Sequence, residues 1–118
     1  IGRLAGTEPT AAVAAAGWAA GLGALRERYR AAPPLRVFYQ VSAEPLVTIT
    51  ATHFIGQAVA LCGGRNVFAD LPGLAPVVGR EAVVAARPEV IVISALADGA
   101  AGDGAAWRRF DTLPAVAR

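Results

Sequence analysis

The side chains able to do chemistry in this chain are few and far apart. They are one cysteine, Cys62, one histidine, His53, a glutamate at the head of a predicted helix, Glu81, and a glycine-rich segment ending at Gly104. A lone cysteine cannot close an internal disulfide, and Cys62 lacks the Cys-x-x-Cys spacing of redox and zinc sites. His53 has no second histidine and no clustered cysteines, whereas zinc and iron sites take three or four such ligands, so no bound metal is expected. The segment holding Gly99, Gly102 and Gly104 follows a predicted strand and precedes a predicted helix. Its spacing is not Gly-x-Gly-x-x-Gly, and a chain without lysine cannot build a Walker loop. No serine lies in a Gly-x-Ser-x-Gly context. The common catalytic constellations are missing, so no enzyme activity and no cofactor are expected. A Rossmann-like enzyme domain, the rival reading, would lack its cofactor fingerprint.

Composition agrees with a folded, non-catalytic module. The 118 residues suit one small domain. A hydrophobic content of 55% and a mean hydropathy of +0.48 exclude disorder. The formal net charge is only +2, and its eleven cations, all arginine, are scattered, so no nucleic-acid partner is expected. Residues 11–25 are apolar and carry Gly17 and Gly21 at small-xxx-small spacing. That run is shorter than the roughly 20 residues needed to span a bilayer. It reads as a mostly buried helix of a soluble protein.

The elements that would position these residues follow from local signals. Residues 1–6 read as the tail of a truncated preceding helix. Thr7-Glu8-Pro9 then combines a capping residue, an acid for the positive helix end and a first-turn proline, so a long helix is predicted from Pro9 to about Tyr29. Arg26, Arg28 and Arg30 suit its negative end, and Pro33-Pro34 forbids continuation. Leu35 to Val41 reads as a strand buried on both faces, and Leu46 to Thr50 as a short extended piece. Thr52 is placed to cap a helix from His53 to about Cys62, closed by Gly63-Gly64. A short helix is predicted from Arg80 to Ala86, then a central strand over Val90 to Ile93 after Pro88. The residues from Ala95 to Gly104 read as a loop, with Asp103 capping a last helix that carries Trp107 and Phe110. The predicted fold class is α/β: a Rossmann-like layered lobe with a parallel sheet, preceded by a long helix. Two strands make a thin sheet, so further strands are expected in sequence flanking this chain.

Four segments, taken in order, resemble the C-terminal lobe of the class III periplasmic substrate-binding proteins, and within them the cobalamin-binding type. They are Arg36-Val37-Phe38-Tyr39-Gln40, Cys62-Gly63-Gly64-Arg65-Asn66-Val67-Phe68, Pro76-Val77-Val78-Gly79-Arg80-Glu81 and Arg87-Pro88-Glu89-Val90-Ile91-Val92-Ile93. The resemblance implies that residues 7–32 are the interlobe backbone helix and residues 33–118 a C-terminal ligand-binding lobe, incomplete at its C-terminus.

What the resemblance implies for function is a periplasmic receptor. Such a protein captures a corrinoid such as cobalamin in a cleft between two lobes and delivers it to the permease subunits of an ABC importer in the inner membrane. Haem or a ferric siderophore is the alternative ligand, as in sister families. The ligand-facing positions carried over are Tyr39, Val47, Ala75 and Pro76; where family members set aromatic rings, this chain has Val47 and Ala75. Glu81 matches the acidic residue of this lobe that pairs with permease arginines. Cys62 matches a cysteine whose disulfide partner would lie outside this chain. Self-association through the long helix, Pro9 to Tyr29, is a further expectation, because it would leave apolar surface uncovered.

Overall fold

The computed structural model describes residues 1–94 and 104–117 and divides into two units, Ile1–Ala32 and Pro33–Arg118. In the first unit, Ile1 to Gly6 make one helical turn in which the Ala5 amide donates to the Ile1 carbonyl. Gly6, at φ 68°, stops that turn in the left-handed region, and the Thr7 amide donates back to the Gly2 carbonyl. Helix α1 then runs Glu8–Tyr29, 22 residues, with Glu8 in its first turn and Arg26 and Arg28 in its last. At 1.5 Å per residue it is a rod about 33 Å long. Thr7 flanks it without a side-chain cap bond, and none of its residues is buried in this chain. The expected burial of this helix is therefore not supplied by the described residues. Apolar side chains lie on all its sides, which is the pattern of a helix that other protein covers.

The second unit is the α/β lobe. Strand β1 is Leu35–Gln40, β2 Ser42–Ala43, β3 Leu46–Val47, β4 Gly64–Asn66 and β5 Val90–Ile93; helices are α2 Phe54–Leu61, α3 Arg80–Ala86, α4 Ala105–Arg108 and α5 Pro114–Ala117. The main sheet has the order β4-β1-β5 and is parallel throughout, with Leu35 opposite Gly64 and Val37 opposite Val90. Strand β4 was not foreseen, because Gly64-Arg65-Asn66 carries none of the β-branched or aromatic signal of a strand. It exists because β1 offers it an edge.

The two faces of the sheet bury different residues. Phe38 is fully buried among Leu46, Val83, Trp107 and Leu113, with its ring edge-on to Trp107 at 5.5 Å and to Phe68 at 5.8 Å. Edge-to-face contacts of this kind add about 0.5–1.5 kcal/mol each beyond area burial. Trp107 Nε1–H reaches Gln40 Oε1 at 2.7 Å, so neither polar atom is buried without a partner. On the opposite face, α2 packs on β4 and, with Leu35, Val37, Val90 and Val92, lines an open apolar trough. Helices on both faces make the layered architecture expected of alternating α and β elements.

Three local expectations change. The cap of α2 is His53, whose Nδ1 accepts the Ile55 amide at 3.1 Å; Thr52 instead exchanges a hydroxyl bond with Thr50 at 2.9 Å. The last predicted helix is one turn, Ala105–Arg108, so Phe110 falls beyond it and meets Trp107 ring to ring at 5.9 Å. Leu35 is exposed rather than buried, since it starts an end of the sheet that no described residue covers. The loop from Ala95 and the Asp103 cap lie outside the described residues, while Gly104, at φ 76°, precedes α4.

Candidate ligand-binding site

All three strands of the main sheet run to the same end, where the chain leaves β1 after Gln40, β4 after Asn66 and β5 after Ile93. Open parallel sheets present ligands at this carboxyl end, outside the strands. Two loop segments build it here. The first contains the β2–β3 hairpin, turned by Glu44-Pro45 with a cis peptide bond, and continues through Thr50 to the start of α2. The second runs from Leu71 to Gly79.

Backbone bonds fasten the second segment along the first. The Val78 amide donates to the Leu46 carbonyl at 2.9 Å, Thr48 to Pro76 at 3.0 Å and Thr50 to Leu74 at 3.1 Å, while Val47 bridges Val77. Thr50 Oγ1 adds a bond to the Gly73 carbonyl at 2.7 Å, and Thr48 Oγ1 one to the Tyr39 carbonyl at 2.8 Å. Asn66 ties the first segment to the sheet: its Nδ2 donates to the Ile49 carbonyl at 2.7 Å, while its Oδ1 accepts the nearby Phe68 amide at 3.0 Å. Thr48, Thr50 and Asn66 are all buried, so these bonds are shielded from water. A loop region bonded this densely is a preformed surface.

The structure brings together three of the four ligand-facing positions drawn from the sequence. Val47, Ala75 and Pro76 all lie on this rim, Ala75 exposed and the other two half-buried. Tyr39 is placed differently. It lies on the same face of β1 as Val37, and its hydroxyl accepts the Ser94 hydroxyl at 3.0 Å, just past the carboxyl end of β5. Its carbonyl reaches the rim through Thr48.

Residues not singled out in the sequence complete the rim. Phe54 is 73% exposed, Val77 65% and Leu74 58%, which makes an apolar edge at the carboxyl end of the sheet. Phe54 stacks on the His53 ring at 4.7 Å with planes 29° apart. The only signal for these residues was their apolar type in loop or helix-start positions, which is too common to single them out.

Glu81 and Cys62 lie elsewhere. Glu81 is exposed in the first turn of α3, and a Cβ placed on Gly79 would lie 2.9 Å from its Oε2. Glycine at the cap thus leaves room for the carboxylate over the positive helix end. Among the described residues Glu81 enters no ion pair, whereas its neighbour Arg80 pairs with Glu44 at 3.5 Å. Glu81 also borders a hollow of about 340 Å³ with Val84, Ala85 and Phe110. Cys62 is a free, exposed thiol at the end of α2, on an apolar trough of about 360 Å³ that it shares with Leu35, Val59 and Val92. The lining of the trough also includes Gly64 and Val90, at the starts of their strands.

Chemically the rim is an apolar surface suited to binding. Its surface is apolar side chain and committed backbone, and among the described residues no cluster of three or more His, Cys, Asp or Glu could hold a metal. With Nδ1 accepting the Ile55 amide, a neutral His53 ring carries its proton on Nε2 and offers a donor edge, not a lone pair.

No family model matches the chain. Curated vitamin B12-binding proteins of Vibrio cholerae serotype O1 are 37% identical to it over 86 residues, which is 73% of this chain and 30% of theirs. Those of Yersinia pestis are 37% identical over 93 residues, 79% of this chain and 33% of theirs. Among solved structures, the periplasmic vitamin B12 binding protein BtuF of V. cholerae is similar at a TM-score of 0.66 and 34% identity, covering 81% of this chain and 36% of that one. The periplasmic heme-binding protein HutB of V. cholerae reaches a TM-score of 0.83 over 99% of this chain and 48% of its own, at 15% identity, a likeness of fold alone. The chain thus spans about a third of the length of the curated relatives it matches. These relatives are binding proteins. By sequence and by fold, this chain is homologous to part of the vitamin B12-binding proteins, within the class III periplasmic substrate-binding proteins.

Proposed function

We propose that this chain is one lobe of the periplasmic substrate-binding component of an ABC importer, and that its rim contributes one side of a cleft for a corrinoid such as cobalamin. The observation that carries the reading is the 37% identity to vitamin B12-binding proteins over 86 residues, coupled to a preformed apolar rim at the carboxyl end of the parallel sheet. In this reading Val47, Ala75 and Pro76 face the ligand, and Tyr39 supports them through Thr48. Residues 7–32 act as the backbone helix between lobes, and the apolar, unburied surface of α1 is what such a helix would present to them.

Delivery requires a partner in the membrane. Glu81 is the residue we assign to it, because it is exposed, unpaired among the described residues and set at a helix start where removing it costs the fold little. An arginine on the permease fits that charge. Cys62, free in this chain, is assigned a disulfide partner elsewhere in the full-length protein, a bond the periplasm permits.

The test is thermal unfolding of the full-length protein with cyanocobalamin, cobinamide and haem in turn. A ligand present at 100 times its Kd stabilises by about 2.7 kcal/mol, a readily measured rise in Tm. A rise with either corrinoid supports the reading, a rise with haem alone moves the protein to the haem receptors, and no rise with any of them removes it.

A further inference from the structure

We propose that Phe54, backed by His53, is a ligand-contacting aromatic surface on this rim, which makes the preferred ligand a flat conjugated ring system with hydrogen-bond acceptors at its edge. The proposal rests on the receptor reading above and names a contact that reading does not. Phe54 leaves 73% of its surface in solvent, so it gives the core of the lobe almost nothing. It is nevertheless backed by a neighbouring ring. Its ring stacks on His53 at 4.7 Å, and the His53 ring is itself pinned by the Ile55 amide at 3.1 Å.

The helix that carries Phe54 is pinned as well. A Cβ at Gly56 would lie 2.1 Å from the Thr50 carbonyl oxygen, so α2 packs backbone to backbone on the residue that holds Leu74 and Gly73. Leu74 and Val77, also mostly exposed, extend the apolar edge along the second rim segment. A ring fixed before binding loses little freedom when a ligand arrives, and this is the economy that makes aromatic anchors effective. Aromatic rings favour offset contact with another flat π surface. The Nε2 donor edge of His53 beside the ring suits a carboxylate or amide oxygen on the ligand's periphery, and the capping bond keeps the imidazole from serving as a metal ligand in this conformation.

The experiment is calorimetric titration of the full-length protein with cyanocobalamin and, separately, with haem, comparing wild type, Phe54→Ala and Phe54→Trp. Loss of the ring should weaken binding about ten-fold, tryptophan should keep it within about two-fold, and the ligand-free Tm should stay unchanged in both. Wild-type affinity in Phe54→Ala overturns the proposal while leaving the receptor reading intact. Equal loss in both variants with a lowered ligand-free Tm also overturns it, by showing a structural role. A wild type that binds neither probe overturns the receptor reading and this contact together.

Discussion

Replacing Gly56 by alanine sets two opposed effects against each other. In a helix interior, glycine to alanine normally gains about 0.5–1 kcal/mol, because alanine has less backbone freedom to lose. At Gly56 the new Cβ would stand 2.1 Å from the Thr50 carbonyl oxygen, 3.1 Å from its carbonyl carbon and 3.3 Å from the Ala51 Cα. All three are backbone atoms, so no side chain can swing aside and α2 must move off the Thr50 segment by about 1 Å to reach ordinary van der Waals contact. Overpacking of this kind costs about 1–3 kcal/mol. The same shift disturbs the Thr50 bonds to Leu74 and Gly73, each worth about 1 kcal/mol. The net effect is a loss of about 2 kcal/mol, opposite in sign to the intrinsic preference. Gly17→Ala and Gly21→Ala in α1 are the controls, since nothing lies within 4 Å of either added Cβ in this chain. Urea denaturation followed by circular dichroism should show a lower midpoint for Gly56→Ala, with unchanged or higher helix stability for the controls. A Gly56→Ala protein as stable as wild type would refute the close packing of α2 on Thr50, and with it the fixed position of Phe54.

Other substitutions test other parts of the lobe. Asn66→Leu strands the Ile49 carbonyl and the Phe68 amide and should cost about 2–4 kcal/mol in chemical denaturation, with faster amide exchange at Thr50. Gln40→Leu removes the acceptor of the buried Trp107 indole and should cost about 1–3 kcal/mol, a loss that Trp107→Phe in the same background partly restores in a double-mutant cycle. Glu81→Arg should reduce uptake in a reconstituted importer while ligand affinity stays at the wild-type value, with a stability change of about 1 kcal/mol or less from the helix dipole. The Cys62 thiol should react with a maleimide in this chain without unfolding, whereas intact-mass analysis of the non-reduced full-length protein should show it blocked if its disulfide partner is present.

Much of this lobe was legible from sequence because its signals are local. Helix α3 occupies the span from Arg80 to Ala86, as its flanking glycine and the Arg87-Pro88 stop indicate, and β5 occupies the apolar run Val90–Ile93. Gly63 stops α2 at φ 79° for the reason glycine always can. The segments resembling the cobalamin-binding group were enough to anticipate the relatives that the chain matches at 37% identity.

Contacts between distant residues were not legible. Strand β4 has no strand composition and exists only because β1 pairs with it, a partner some 30 residues earlier. The capping of α2 by His53 rather than Thr52 was decided by competition, since Thr50, itself bonded to the far loop, takes the Thr52 hydroxyl. The bond between the Tyr39 and Ser94 hydroxyls joins residues 55 apart and follows from the register that sets β1 beside β5. Sequence by itself determined the main helices, strands β1 and β5 and the kinship with B12-binding proteins, since each is written in short-range pattern or residue identity. Tertiary structure alone decided which loops meet at the carboxyl end of the sheet and that an unburied Phe54 stands among them, because those facts follow from hydrogen bonds and close approaches between segments that the chain brings together only on folding.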